Sequence, residues 1–192
     1  MKQALLLPLL LTGLGAFAQE AAWVNDARSV AAMVPPKLLQ VLNDEIAKGG
    51  PESAVEACKE KAPQMAKAAS DQSGWAIRRV SLLNRNPKAV PDAWERAALE
   101  DFDRRAAAGE SPTTLEKGEI VADGERREYR YMKALPVQQV CLACHGPADK
   151  IKPEVTSKLL SHYPADKGTG YSIGQIRGAI TIRRLATTVP NS

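Results

Sequence analysis

Along the chain the spacing of apolar positions changes several times, and each change marks an element. From Pro35-Pro36 onward, Leu38, Leu39, Leu42 and Ile46 fall at three- and four-residue steps, with Pro36 suited to a first helical turn and Gly49-Gly50 closing the segment. A second helix is expected from Pro51, carrying Val55, Cys58, Ala62, Met65 and Ala69 on one apolar face, with Pro63 kinking or breaking it. Cys58 is thereby turned inward. Ahead of these helices, the residues through Trp23 read as a short N-terminal stretch.

A period of two follows. Ile77 to Leu83 reads as a strand, because Val80 and Leu82 alternate with polar neighbours, and Asn84-Arg85-Asn86-Pro87 supplies turn chemistry. Asp92 with Glu95 three residues on forms a capping box for a helix whose Trp94, Ala98 and Phe102 share a face and which ends at Gly109. Residues 118–135 pattern as a hairpin turning at Asp123-Gly124. A short helix over Pro153 to Ser161, a loop over Pro164 to Gly174 and a strand over Gln175 to Leu185 complete the pattern. Strands and helices mix without a βαβ rhythm, which predicts an α+β fold with an antiparallel sheet. At 192 residues, 44% hydrophobic and 25% charged, the chain fits one domain.

The first residues belong to none of these elements. Lys2, the apolar run from Ala4 to Phe17 and the small-x-small ending Ala16-Phe17-Ala18 read as a signal peptide, residues 1–18, with residues 19–192 as the mature domain. No later apolar run is long enough to span a bilayer, so a periplasmic, soluble product is expected. Cleavage removes one cation and no acid, taking the net charge from +4 to +3. With no block of Lys or Arg and with export expected, nucleic acid is disfavoured as a partner.

Chemistry concentrates in Cys141-Leu142-Ala143-Cys144-His145. Covalent haem attachment needs two thiols one helical turn apart, to add across the two vinyl groups, and an imidazole beside the second thiol to reach the iron. This run meets those needs, and its spacing is the c-type haem signature. A redox-active dithiol also uses Cys-x-x-Cys, but it opens a long helix after a strand in a thioredoxin-like unit, and the order of elements here differs. A zinc site needs a fourth ligand, for which only Cys58, His162 or carboxylates are at hand. One covalently attached haem c is therefore the cofactor expected, in a compartment where thioether bonds can form.

If haem consumes Cys141 and Cys144, Cys58 is left without an intramolecular partner in an oxidising compartment. It is then a buried inert thiol, a link between chains, or an iron ligand. Met33, Met65, Met132 and His162 are the other candidates for a sixth ligand, and spacing does not choose among them.

Several runs together resemble a known family, the exported c-type haem-binding domains of PAS-like fold, or Tll0287-like domains, long known only as a domain of unknown function. The runs are Ala54-Val55-Glu56-Ala57-Cys58, Ile77 to Leu82, Asn84-Arg85-Asn86-Pro87, Pro91 to Glu95, Tyr131-Met132-Lys133, Cys141 to Gly146, Gly170-Tyr171 and Ile176-Arg177-Gly178. Leu83 and Ala89 depart from the family pattern. The resemblance implies a PAS-like antiparallel sheet flanked by helices, His145 as proximal ligand and Cys58 as distal ligand. A thiolate on the iron would favour the ferric state and a low potential, with Cys58 released on reduction. Haem propionates need cationic partners, and Arg78, Arg79, Arg85 and Arg177 lie in the matching runs, with Arg79 the residue chosen.

These readings make the chain a redox- or gas-responsive haem module, whose partners would be a small diatomic ligand and a periplasmic redox or signalling protein. A soluble electron carrier is the alternative. A haem enzyme such as a peroxidase ranks below both, because no acid or base can be assigned from spacing.

Overall fold

The computed structural model of the chain describes residues 14–186. Residues 1–13 of the expected leader lie outside them, while its small-residue end falls near the start of a helix, α1, Leu14–Ala31. This helix replaces the short stretch expected through Trp23. It forms because Trp23, Ala27, Val30 and Ala31 recur at helical steps and bury against a sheet, while Asn25, Asp26, Arg28 and Ser29 stay in water.

Helix α2, Val34–Ser73, contains both helices expected from the pattern. It is interrupted where Gly49 (φ −147, ψ 19) and Gly50 (φ 80, ψ 176) leave helical geometry, as the Gly-Gly pair implied. Pro63 does not break it. Helical dihedrals continue through that proline, and the turns beyond are held by Met65, Ala66 and Ala69 packing on the core, which outweighs one lost hydrogen bond. Gly74, at φ 72, caps the end with its N–H on the Ser70 carbonyl.

Strand β1, Ala76–Val80, stops short of the expected Leu83. Ser81 leaves the ladder, donating its N–H to the Ala89 carbonyl at 3.0 Å and its hydroxyl to the Arg177 carbonyl at 2.9 Å. Helix α3, Ala93–Ala107, opens with the capping box foreseen at Asp92 and Glu95. The hairpin of β2, Glu116–Asp123, and β3, Arg126–Pro136, follows. A short helix α4, Leu142–His145, a helix α5, Pro153–His162, and a strand β4, Ile176–Leu185, complete the chain. The strands form one antiparallel sheet in the order β1-β4-β3-β2. The protein is thus an α+β domain with a four-stranded antiparallel sheet.

Alternation along the strands sends side chains to two faces. On one face Ile77, Tyr131, Ile180 and Ile182 bury against α1 and the end of α2. On the other, Val80, Met132 and Ala179 bury against Leu99 and Phe102 of α3. Each such large apolar side chain contributes about 1.5–3 kcal/mol on leaving water. Glu95 is also buried on the α3 face, where Thr181, Arg78 and Arg130 surround its carboxylate, so the charge is paired rather than stranded. A third cluster joins Val55 of α2 to Ile151, Val155 and Leu159 around α5, with Cys144 packed against it. Among the described residues no helix is long and apolar enough to cross a membrane.

Candidate functional site

Past Pro136 the chain stays beside the start of β4, with the Val137 N–H on the Gln175 carbonyl at 2.8 Å and the Gly174 N–H on the Val137 carbonyl at 2.9 Å. It then coils through a 3-10 turn, Gln139–Cys141, directly into α4. Cys141, Cys144 and His145 therefore sit on one short coil at the end of the sheet, all three half-buried. Gly146 ends the coil: a Cβ there would lie 2.6 Å from the Leu142 carbonyl oxygen, so only glycine fits. The loop after α5 locks the turn from outside, through Gly170 N–H to the Gly146 carbonyl (2.8 Å) and Tyr171 N–H to the His145 carbonyl (2.9 Å).

The His145 ring is held as firmly as its backbone. Its Nδ1 lies 2.6 Å from the Gly168 carbonyl and 3.0 Å from Nε of Arg177. Burial, and then the cations Arg177, Arg85 and Arg79, push its pKa well below the usual imidazole value, which keeps the ring neutral and able to ligate a metal. Burial likewise pushes the Cys144 thiol up, opposed by Arg85.

Cys58, on α2, is half-buried, and burial raises its pKa against the pull of Arg79 and Arg85. Val55, nearly one turn before Cys58 on α2, shares a buried cluster with Cys144, so α2 brings this thiol to the neighbourhood of the motif from a distant part of the sequence. The three methionine candidates lie elsewhere, whereas His162, at the end of α5, borders the Cys58 segment of α2. Met132 is fully buried beneath α3, Met33 and Met65 pack on the α1 side of the sheet, and His162 takes a 3.1 Å contact with Lys59 through Nδ1.

The four arginines divide. Arg78 is on the opposite face of β1 and pairs with Glu95, so it does not reach the motif. Arg85 is engaged with Asp166 at 2.8 Å, and Arg177 donates to Ser81 and Leu83 and lies over the Tyr171 ring. Arg79 is the one of the four with no acceptor among the described residues. Its surface is open to solvent, yet desolvation lowers its pKa while Cys141 and Cys58 raise it. Arg79 stands on the same face of β1 as Ile77, the face on which α2 packs.

Two cavities border this region without containing it. One of about 750 Å³ lies between α3 and the loop through Tyr171, and one of about 430 Å³ lies behind α4 against Ile46 and Pro51. Among the described residues no three His, Cys, Asp or Glu side chains converge as they do around a structural zinc.

Sequence reasoning missed Arg177 as the neighbour of His145, and it missed Gly168 altogether. No local signal marks Gly168, since its role is a backbone carbonyl delivered by loop geometry.

No curated protein matches the sequence. Among solved structures, the crystal structure of the cyanobacterial heme-protein Tll0287 is similar in fold: 22% identity, a TM-score of 0.61, and coverage of 88% of this chain and 96% of that one. The sequence itself matches the Tll0287-like family over residues 17–184, most of the chain and every candidate site residue named above, and the protein therefore belongs to the Tll0287-like family.

Proposed function

We propose that this chain is an exported haem protein carrying one covalently attached haem c and acting as a redox- or gas-responsive module in the periplasm. The observation that supports it most is the packing of Cys144 against the cluster that holds Val55, which brings the Cys58 segment of α2 to the Cys141–His145 coil, with Arg79, a cation that has no acceptor among the described residues, on the face of β1 that α2 covers. The donor set fits the group: two thiols for thioether bonds, a neutral imidazole, a thiol from another helix, and a cation for a propionate. Family membership and the heme-binding relative of similar fold point the same way.

In this reading Cys141 and Cys144 hold the haem, His145 and Cys58 ligate its iron, and Arg79 pairs with a propionate. When bound, the haem supplies an iron that changes oxidation state by one electron and takes small diatomic ligands. The chain's own contribution is orientation. The loop from Gly168 to Tyr171 fixes the imidazole, while Cys58 comes from α2, a separate element with no backbone hydrogen bond to the motif among the described residues. A distal ligand delivered by a separate element supports a responsive module, in which that ligand is exchangeable.

The test is the exported, matured protein. Its mass should equal residues 19–192 plus one haem, and its ferric spectrum should be of thiolate type and lose that character in Cys58→Ala. A colourless wild-type protein, or a mass equal to the bare chain, overturns the proposal.

A further inference from the structure

We propose that Arg85 is the positioning residue for His145: acting through Asp166, it fixes the Gly168 carbonyl that holds Nδ1, and so commits Nε2 to the haem iron. This rests on the reading of His145 as an iron ligand.

Two neighbours of Nδ1 make opposite demands. The Gly168 carbonyl oxygen, 2.6 Å away, requires a proton on Nδ1, since a nitrogen lone pair and an oxygen would repel at that separation. The Arg177 Nε–H, 3.0 Å away, requires a lone pair there. A neutral imidazole satisfies one of them. With the proton on Nδ1 the lone pair falls on Nε2, which can then bind iron; with the proton on Nε2 it cannot. The carbonyl contact is the shorter one, and Arg177 has other acceptors in Ser81 Oγ at 2.7 Å and the Leu83 carbonyl at 3.1 Å. The ligating tautomer therefore depends on the Gly168 carbonyl staying where it is.

Gly168 lies in the loop between α5 and β4, with no helix or sheet to hold it. A brace does so instead. Asp166 Oδ1 accepts the Gly168 N–H at 2.7 Å, and Asp166 Oδ2 accepts Arg85 Nε at 2.8 Å. Arg85 Nη2 donates to the Cys144 carbonyl at 2.5 Å and reaches the Gly168 carbonyl at 3.4 Å. One guanidinium thus ties the haem-motif coil to the loop that holds its histidine. The pair is shielded, at 11% and 5% side-chain exposure, so it is little weakened by salt. Gly168 itself lets the loop close, because a Cβ there would lie 2.5 Å from Arg177 Nη2. Outer partners of this kind set ring orientation and basicity in metal-bound histidines.

If the brace is cut, the carbonyl drifts, the Arg177 N–H takes Nδ1, and the iron–histidine bond weakens. The experiment compares matured wild type with Arg85→Leu, Arg85→Lys and Asp166→Asn. Readouts are the iron–histidine stretch of the ferrous protein by resonance Raman, the midpoint potential, and covalent haem content by mass. Arg85→Leu and Asp166→Asn should keep the haem, lower or lose the stretch, and raise the potential, because a less basic imidazole stabilises ferric iron less. Arg85→Lys should recover part of both shifts, since its ammonium can still reach Asp166. Should Arg85→Leu fail to fold, Asp166→Asn carries the test with shape preserved. Haem-bearing variants with the wild-type stretch and potential overturn this proposal alone, whereas wild type without haem overturns the reading beneath it as well.

Discussion

Arg177 Nη1 donates to the hydroxyl of Ser81 at 2.7 Å, and that hydroxyl donates in turn to the Arg177 carbonyl at 2.9 Å. This reciprocal pair fastens the start of β4 to the end of β1 and aims the guanidinium at His145. Both residues are buried.

Replacing the hydroxyl tests that joint. Ser81→Ala leaves a buried cation short of one acceptor and should cost about 1–3 kcal/mol. The denaturant midpoint at constant slope reads the loss. An unchanged midpoint would mean that water satisfies Arg177 in its place.

The neighbouring residue is fixed by backbone sterics. Gly178 has φ 151, and a Cβ on it would sit 2.3 Å from the Val80 carbonyl oxygen, inside the β1–β4 contact. Gly178→Ala must either strain the backbone or part the strands, and we expect a loss of more than about 2 kcal/mol. Gly174 also has positive φ, 84, but nothing lies within 4 Å of its would-be Cβ, so Gly174→Ala should cost only about 1–2 kcal/mol, the conformational term. Equal losses in the two variants would show that crowding against Val80 contributes nothing.

These joints also mark how far the sequence could be read. Capping residues, the Gly-Gly break and the alternating strands are local codes, so α3, the two halves of α2 and the hairpin were legible. The Cys141 to His145 run stood out for the same reason, being five consecutive residues. Helix α1 was passed over although Trp23, Ala27 and Val30 carry its period, because the residues between the expected leader and Pro35-Pro36 were read as a short stretch without an element of their own. Pro63 misled because a local penalty was overruled by packing. The partners of His145 were not legible: Arg177 reaches it from the start of β4 and Gly168 from the loop before, where Asp166 holds the Gly168 N–H, and a backbone carbonyl has no sequence signature.

Acid should attack the far side of the sheet first. Arg28 of α1 and the Tyr131 hydroxyl both bond the Glu116 carboxylate, and the Arg28 hydrogen bond is the main cause of its pKa falling from 4.5 to about 2. A depressed carboxylate stabilises the fold above its unfolded pKa, and that stability is lost as pH falls from about 4.5 through about 2. Because Arg28 is 47% exposed, solvent screening reduces the contribution to about 1–2 kcal/mol. Wild type should therefore lose stability across this window more steeply than Glu116→Gln, as read by urea midpoints at each pH. Parallel curves would remove the carboxylate from the account.

The proposed function makes its sharpest demand on Cys58. Its thiol is half-buried on a helix that shares no backbone hydrogen bond with the haem motif, and Arg79 and Arg85 stand by to favour its thiolate. If that thiolate ligates the iron and loosens on reduction, dithionite-reduced protein should take up carbon monoxide only as the thiol leaves. Affinity for a ligand that needs the vacated state is scaled down by the fraction of molecules in that state. A thiol that is away a tenth of the time would thus hold wild-type affinity roughly tenfold below that of Cys58→Ala. Flash photolysis of the carbon monoxide adduct in both proteins measures the difference directly, since rebinding in wild type must compete with return of the thiol. Identical affinity and rebinding rate in the two proteins would show that Cys58 does not occupy ferrous iron, whereas reduced wild type that takes up no carbon monoxide while Cys58→Ala does would turn the responsive reading into a fixed electron carrier.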